Sequence, residues 1–570
     1  MTTELTKPIV LDETGQEIVE ELKKANEYRA MEVVTDFDGT KATYDKLMRK
    51  WFLANGVNVM TPSGITDLCN KWYTLTKDGF DGRTTFAKPS ESNVSTGTRG
   101  GDNYGKTCTP STDTTAGTDD FEGLPLFACV DVNFTVDPTS LDIVITAIDG
   151  ITDNFRRTDP TKFVGVMQMA GWHYWYEDST TYTHGYADHR VPTGNCAPLP
   201  EAVRADGTLR PFVVHAKYMS HTVSGKLTSY SGAHPTPYIS HNSLHTLSAS
   251  TGAQYSGTSF ADLAFLVLMT YIKYASLTLD GIMGGCNGYD IVKYAQVSET
   301  AVKRVIVPAS SGFEAGSTVV IGTYNGSSTD RGASQNYSIS GSEGATILSV
   351  ESITVDGTTY DALYVDVDTA FNTVANGDAT SGSTIVMTFH WRTGMTDGVK
   401  GNDGSFKNNT DNKHPFKLQG IECMLGGYEV VADVIMNEAV EDSVTYYTPY
   451  AVNRTAKQAT SITADYVAFT ALKIACAASA AWRYIKRLGF QDGMFYPIEV
   501  DGSSSTFTKD AFYMDANGTS GTREWLAFGR LTHGSYAGLS CLLGDRALSD
   551  GGWGFLGRLS PNGNRGEWAV

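Results

Sequence analysis

The sequence has no apolar run long enough to cross a bilayer. Its longest, Leu263 to Ile272, lies between Asp262 and Lys273 and is about half of the ~20 residues a spanning helix needs, so it reads as a buried helix. Nor is there a basic excess: 44 Lys and Arg stand against 63 Asp and Glu, a net charge of -19. Coating nucleic acid requires cations to neutralise phosphates, so the balance argues against that role and reads as solubility. There is no CxxC pair and no cysteine with a close histidine partner among Cys69, Cys108, Cys129, Cys196, Cys286, Cys423, Cys476 and Cys541. Reduced thiols are expected in preference to a disulfide or zinc framework. The opening MTTELTKPIVLDETGQ has no apolar core between a basic start and a small-residue cleavage site. The chain is therefore expected to stay where it is made until released by another route.

The most telling absence is near the end. Between Leu526 and Leu556 there is no Lys, Glu, Gln or Met, where ordinary usage would put roughly five, and the only Trp is Trp553. Those four types, with Trp, are the side chains out of reach when an AAY codon is randomised at its first two bases. The composition points to a segment diversified through adenines, and so to a binding surface.

What is present divides the chain. A length of 570 residues leads to an expectation of about three or four domains. EIVEELKKANEYRAMEVV (17–34) has helical spacing, and a second helix is expected over Ala42 to Ala54. Lys88 to Asp120 is rich in Gly, Ser, Thr and Asp, and is expected as a long loop or linker, with the surface of a neighbouring subunit as one place for it to lie. LFACVDVNFTV, DIVITAI and GWHYWYE read as strands, and helices are expected from Ser240 and over Ser259 to Ala275. Between about 303 and 396, runs such as STVVIGTY and STIVMTFHW separated by turn residues predict an all-β module, sandwich or small barrel. A further helix is expected from Thr463 to Leu488.

Two separated segments resemble the formylglycine-generating-enzyme branch of the C-type lectin fold. One is Pro200, Asp206-Gly207, Phe212-Val213-Val214 and Lys217-Tyr218. The other is Gly420-Ile421-Glu422-Cys423-Met424-Leu425-Gly426-Gly427-Tyr428-Glu429-Val430, with Gly427 and Val430 where the family phrase has Asn and Trp. The closing ALSDGGWGFLGRLS, Ala547 to Ser560, resembles the end of variable proteins of diversity-generating retroelements such as phage tropism determinants. The N-terminal third resembles structural proteins of gut-bacterial phages.

These resemblances imply an α+β multidomain fold: an N-terminal virion-anchoring region (1–197) and a C-type lectin-like domain (198–302 and 397–570) split by the β module (303–396). They imply a phage virion protein, on the particle surface as a tail or head appendage, that adsorbs to a bacterial surface receptor, protein or glycan, through a variable segment at 525–560. A trimer in contact with other virion proteins is implied, with no enzyme activity, cofactor, metal, nucleic acid or membrane insertion. Trp525, Gly529, Gly538, Ala547, Trp553, Gly557 and Arg558 are expected as scaffold, with Gly534, Ala537 and Gly552. The positions between them are expected to face the ligand: Leu526, Phe528, Arg530, Leu531, Thr532, His533, Ser535, Tyr536, Leu539, Cys541, Leu542, Asp545, Arg546, Leu548, Asp550, Gly554 and Leu556.

Rival readings are a purely structural head or tail component, and an enzyme of the formylglycine-generating type. The latter needs paired cysteines or His and carboxylate ligands, and Cys541 and His533 stand alone in the tail. Calcium-dependent sugar binding would need EPN, QPD or WND, and none occurs. His215, His221, His234, His241 and His245 lack the glutamate of HExxH and read as surface or capping residues. Asp36-Phe37-Asp38-Gly39-Thr40 resembles a phosphatase nucleophile motif, but no βαβ pattern follows it, and an Asp-Gly turn explains it.

Overall fold

The computed structural model describes residues 40–476, 479–515 and 521–566. It is mostly β-sheet, with four α-helices among the described residues. The helix expected over 17–34 and the Asp36 to Gly39 turn lie outside the described residues.

Each helix begins where the sequence can cap it. Thr40 caps α1 (Lys41–Ala54), accepting from the Thr43 amide, and Thr61 caps α2 (Pro62–Leu75), whose first residue is a proline that needs no amide partner. Tyr44, Met48 and Phe52 form one buried stripe of α1, and Trp72 of α2 donates its indole N–H to the Tyr44 hydroxyl at 2.8 Å. Ser240 and Ser259 each close a capping box at the start of α3 (His241–Thr251) and α4 (Phe260–Tyr274). Every residue of α4 is buried, as expected of a long apolar run inside a core.

The four largest sheets carry most of the strands. One has five strands, with Trp172–Glu177 and Thr181–Ala187 at its middle, and a second has four, with Phe163–Met169 and Cys129–Val136 inside. A third has six strands, all within 292–388, and its own apolar core of Val305, Val307, Val319, Ile321, Leu363 and Val386. The largest has ten strands and is centred on Tyr428–Glu441, flanked by Val444–Ala451 and Gly521–Ala527. A single apolar cluster runs from Tyr44 through α4 to Leu559, so the N-terminal region and the C-terminal segment share one core.

One expectation needs correction. The helix expected over 463–488 is a 3₁₀ turn, Thr470–Leu472, followed by strands Ile474–Ala475 and Ala481–Gln491. The second strand pairs antiparallel with Met494–Val500 around Asp492 and Gly493, both at positive φ (45° and 85°). An Asp-Gly pair between aromatic and β-branched residues is a strong hairpin signal, and it overrides the helical preference of the preceding alanines. The segment 88–120 packs against its own chain. Gly97 donates to the Ala275 carbonyl (2.7 Å), Ser111 to that of Asp403 (3.0 Å), and 98–101 adds a strand to the five-stranded sheet.

Gly493 combines a left-handed backbone with a wall at its back: a Cβ there would lie 2.1 Å from Pro200 Cγ. Gly493→Ala is expected to lower stability by about 1–3 kcal/mol, read as an earlier midpoint in chemical denaturation.

Candidate functional site

The C-terminal segment enters the fold as the strand Gly521–Ala527, which pairs with the central strand in the register Glu429↔Ala527 and Val430↔Leu526. Phe528 and Gly529 then turn the chain sharply, with φ of 75° and 89°. A side chain on Gly529 would meet the Ala537 Cβ at 2.6 Å, and one on Gly538 would meet an Asp510 carboxylate oxygen at 2.0 Å. Of the scaffold glycines, Gly529 and Gly534 adopt positive φ, whereas Gly538 and Gly557 are needed for close packing. Leu542–Leu543 is sandwiched between Ala511–Met514 and Gly521–Ala527, Phe555–Leu556 runs parallel to Tyr428–Glu429, and Leu559–Ser560 pairs with Ser256–Gly257.

This stitching decides which side chains remain available. Leu526, Phe528, Leu531, Leu539, Cys541, Leu542, Leu548, Gly554 and Leu556, expected on the ligand face, are buried. Leu531 joins Val320, Ile385, Met387 and Phe389 of the six-stranded sheet, Leu548 joins Ile435 and Val452, and Leu556 joins Met219 and Leu425. Their apolar surface is worth more in the core than at the rim, at roughly 1.5–3 kcal/mol for a full side chain. Among the expected scaffold residues, Trp525, Ala537, Trp553, Gly557 and Arg558 are buried and Ala547 is partly so. Arg530, Thr532, His533, Ser535, Tyr536, Asp545, Arg546 and Asp550 keep solvent access.

Six of these accessible residues, Arg530, Thr532, His533, Asp545, Arg546 and Asp550, converge on one cleft of about 1120 Å³. Trp553 forms its floor. The guanidiniums of Arg530 and Arg331 lie 4.9 and 5.2 Å from the Trp553 ring centroid, and His390 stacks against the ring at 5.7 Å. Arg331 is fixed by Asp290 (2.5 Å) and the Thr388 carbonyl (2.6 Å), whereas the hydrogen bond given to Arg530's side chain is from Nε to Thr532 (3.1 Å). At the rim Tyr536 stacks face to face on Trp482, 5.0 Å apart with the planes 3° from parallel, and Ser535 bonds the Tyr484 hydroxyl at 2.9 Å.

The electrostatics are mixed. Burial, then the adjacent Arg530, pushes His533 down to about 3, so its ring is neutral against the Tyr428 hydroxyl at 3.1 Å. Burial raises Asp545, with Arg546 opposing at 3.3 Å. The cleft thus offers one weakly engaged guanidinium, several carboxylates and flat aromatic faces: equipment for recognition through stacking and polar contacts. Its other walls, Val292 and the loop residues Asp290 and Ser327 to Arg331 beside the six-stranded sheet, with Trp482 of the hairpin and Tyr513 of the adjoining strand Ala511–Met514, were not expected from sequence. The alternation of Trp482 and Tyr484 carried a signal for a shared strand face, while Ser327 to Arg331 reads only as a turn.

Behind the cleft the segment is clamped by two buried ion pairs. Arg558 donates Nε and Nη2 to the Glu429 carboxylate at 2.8 and 3.0 Å, and its remaining hydrogens reach the carbonyls of Ala216 (3.1 Å), Lys217 (2.9 Å) and Glu422 (2.7 Å). Burial opposes this charge, yet Glu429 more than offsets it and the guanidinium pKa is raised. Arg565, further along the chain, pairs with Asp433 at 2.8 Å.

Other candidate chemistry does not assemble. Burial and Asp510 push the Cys541 thiol well above its ordinary range, which disfavours the nucleophilic thiolate. His215 is buried with its Nδ1 2.8 Å from Asp262, and His241 is buried at the start of α3, where burial lowers it to about 4; these two are core residues, not the surface or capping residues expected. Among the described residues the one cluster with metal-ligand spacing is Cys108, Asp119 and Asp403, and the Lys273 ammonium sits among its carboxylates at 2.8 and 2.6 Å. A scan against protein-family models finds no match to the chain, and no curated protein matches it significantly.

Two outcomes follow for stability. Arg558→Met leaves Glu429 buried without its partner and is expected to cost about 3–5 kcal/mol, measured by denaturant unfolding. Asp510, buried beneath Gly538 and Ser540, is raised to about 7 by burial. An acid whose folded pKa lies above its unfolded value gives stability that is full below pH ~4 and is lost as pH rises to about 7. Asp510→Asn is therefore expected to be the more stable protein at pH 8, by on the order of 1–4 kcal/mol, with the difference closing by pH 4.

Proposed function

We propose that this chain is a bacteriophage virion protein that binds a host-surface receptor through the cleft floored by Trp553. The observation that carries the reading is a convergence. The C-terminal segment with the composition of an adenine-diversified sequence supplies a cleft wall with six of the eight expected ligand-face side chains that the core leaves free, Arg530, Thr532, His533, Asp545, Arg546 and Asp550, while Ser535 and Tyr536 stand at its rim. Aromatic and Arg side chains at the rim are the types that dominate binding energy at interfaces.

The scaffold is read as C-type lectin-like. In support, the last strand Leu559–Ser560 returns to pair beside α4, and Ile421 to Val430 supplies both Glu429 and the start of the central strand. The six-stranded sheet, inserted between the two halves, forms the opposite wall of the cleft. A trimer would present several copies of the face and raise weak single-site affinity through avidity. The alternative, a structural head or tail component, draws on the burial of Leu526, Leu542 and their neighbours, which makes much of the segment ordinary core.

Arg530→Ala and Tyr536→Ala, in virions otherwise unchanged, are expected to reduce adsorption about 30-fold, the effect of losing ~2 kcal/mol at a hot spot. Lys162→Ala, on an exposed loop away from the cleft, is expected to leave adsorption as it was. Unchanged adsorption in all three variants supports the structural reading instead. In the gene, the accessible positions are expected to use NNY codons, with a near-copy carrying adenines there; differences not confined to adenines defeat the diversification idea.

A further inference from the structure

The interior holds a second unusual arrangement, remote from the cleft. Lys273, in the last turn of α4, has no exposed side-chain surface, and its Nζ lies 2.8 Å from Asp119 Oδ2 and 2.6 Å from Asp403 Oδ2, carboxylates that are 8% and 2% exposed. The amine also donates to Gln419 Oε1 at 3.0 Å. Cys108 Sγ is 3.8 Å from the same Asp403 oxygen. The charges do not balance: two carboxylates face one ammonium.

The neighbouring buried network shows the contrast. There the two more deeply set acids, Asp131 and Asp397, are each met by both Lys217 and Arg157, and the third acid on Arg157, Asp149, is 41% exposed to water. At Lys273 the nearby guanidinium of Arg99 is directed at the Lys273 carbonyl oxygen. A buried surplus carboxylate is costly unless it takes a proton, and a protonated carboxyl beside a buried amine is the reactant pair for amide formation.

We propose that Lys273 and Asp119 form an intramolecular isopeptide bond, with Asp403 as the proton carrier. The two acids differ in the way these roles require. Asp403 is held on both oxygens, by the Gln419 amide (2.6 Å) and the Tyr274 hydroxyl (2.9 Å). Asp119 accepts the Phe121 amide on Oδ1 (3.0 Å), while its Oδ2 touches Nζ without a well-directed hydrogen bond. Its carbon is the one left open to attack.

The step balances without an outside reagent. Burial works against the ammonium, but the two carboxylates outweigh it and hold the Lys273 proton, so the resting pair is ionic. The reacting state is the minor one reached when that proton crosses the 2.8 Å contact to Asp119, leaving a neutral amine beside a carboxylic acid. The Nζ lone pair attacks Asp119 Cγ and the C–N bond forms. Asp403 takes a second proton from nitrogen and delivers it to the departing hydroxyl as the C–O bond breaks. One water leaves, and Asp403 returns to its starting state. A cavity of about 670 Å³, bordered by Cys108 and Tyr274, lies beside the cluster and gives the water an exit. The product ties the 107–120 hairpin covalently to α4.

The test is the intact mass of the purified full chain, denatured and reduced. The native sequence is expected one water lighter than its sequence mass, and digestion is expected to yield a branched peptide joining Lys273 to Asp119. Lys273→Arg is expected at full mass, and Asp119→Asn one ammonia lighter than its own sequence mass, since the leaving group changes. A native chain at full mass overturns the proposal. So does a water deficit that persists in Lys273→Arg, or one carried by a linear peptide. Because the decisive reading is made on the native chain, failure of a variant to fold does not protect the idea.

Discussion

The Arg558–Glu429 pair is the interaction on which the C-terminal segment depends. A guanidinium offers donors in a rigid plane, and in the interior each must find an acceptor or exact the cost of lost hydration. Arg558 meets this with one carboxylate and three carbonyls drawn from two separate parts of the chain, around Ala216 and around Glu422. Only one path of the segment brings those acceptors together. Arg565 on Asp433, which also accepts from Ser259 and the Phe260 amide, repeats the device where α4 begins. The buried charges thus fix position, while the surrounding leucines supply most of the favourable burial.

A segment held this way divides its labour by depth. Its leucines and Phe528 fill space between strands, its glycines admit the Asp510 carboxylate and the Ala537 methyl at distances no side chain allows, and its polar residues are left at the opening. The cleft is a joint product, because its floor Trp553 packs against Phe389 of the six-stranded sheet and lies beneath a guanidinium from each side. Recognition by such a cleft depends on how the sheet sits as much as on the segment.

Local signals were legible in the sequence where local physics governs. Ser240, Ser259 and Thr40 mark helix starts because capping is decided within four residues, and the 292–388 strands show in their β-branched runs and turn residues. The strand Ala481–Gln491 was misread because the alanines before it favour helix, and its pairing with Met494–Val500 lies outside any short window. The location of the candidate site was readable from composition. Its exposed side was not: a Gly-rich segment has neither the two-residue nor the 3.6-residue period, and Leu542 and Leu543 are both buried because strands cover them on either side. The walls from Asp290 and Ser327 to Arg331 depend on tertiary placement alone.

The two-sided pairing of Leu542–Leu543 also bears on how such a segment can evolve. A position between two strands tolerates few side chains, so a library randomised evenly along the segment would contain many members that fail to fold before they meet any target. Useful variety is then concentrated at the handful of sites around the opening, and the rest of the segment acts as a filter. The diversity available to the protein is set by the geometry of its core, in the same way that the number of keys a lock can accept is set by its barrel.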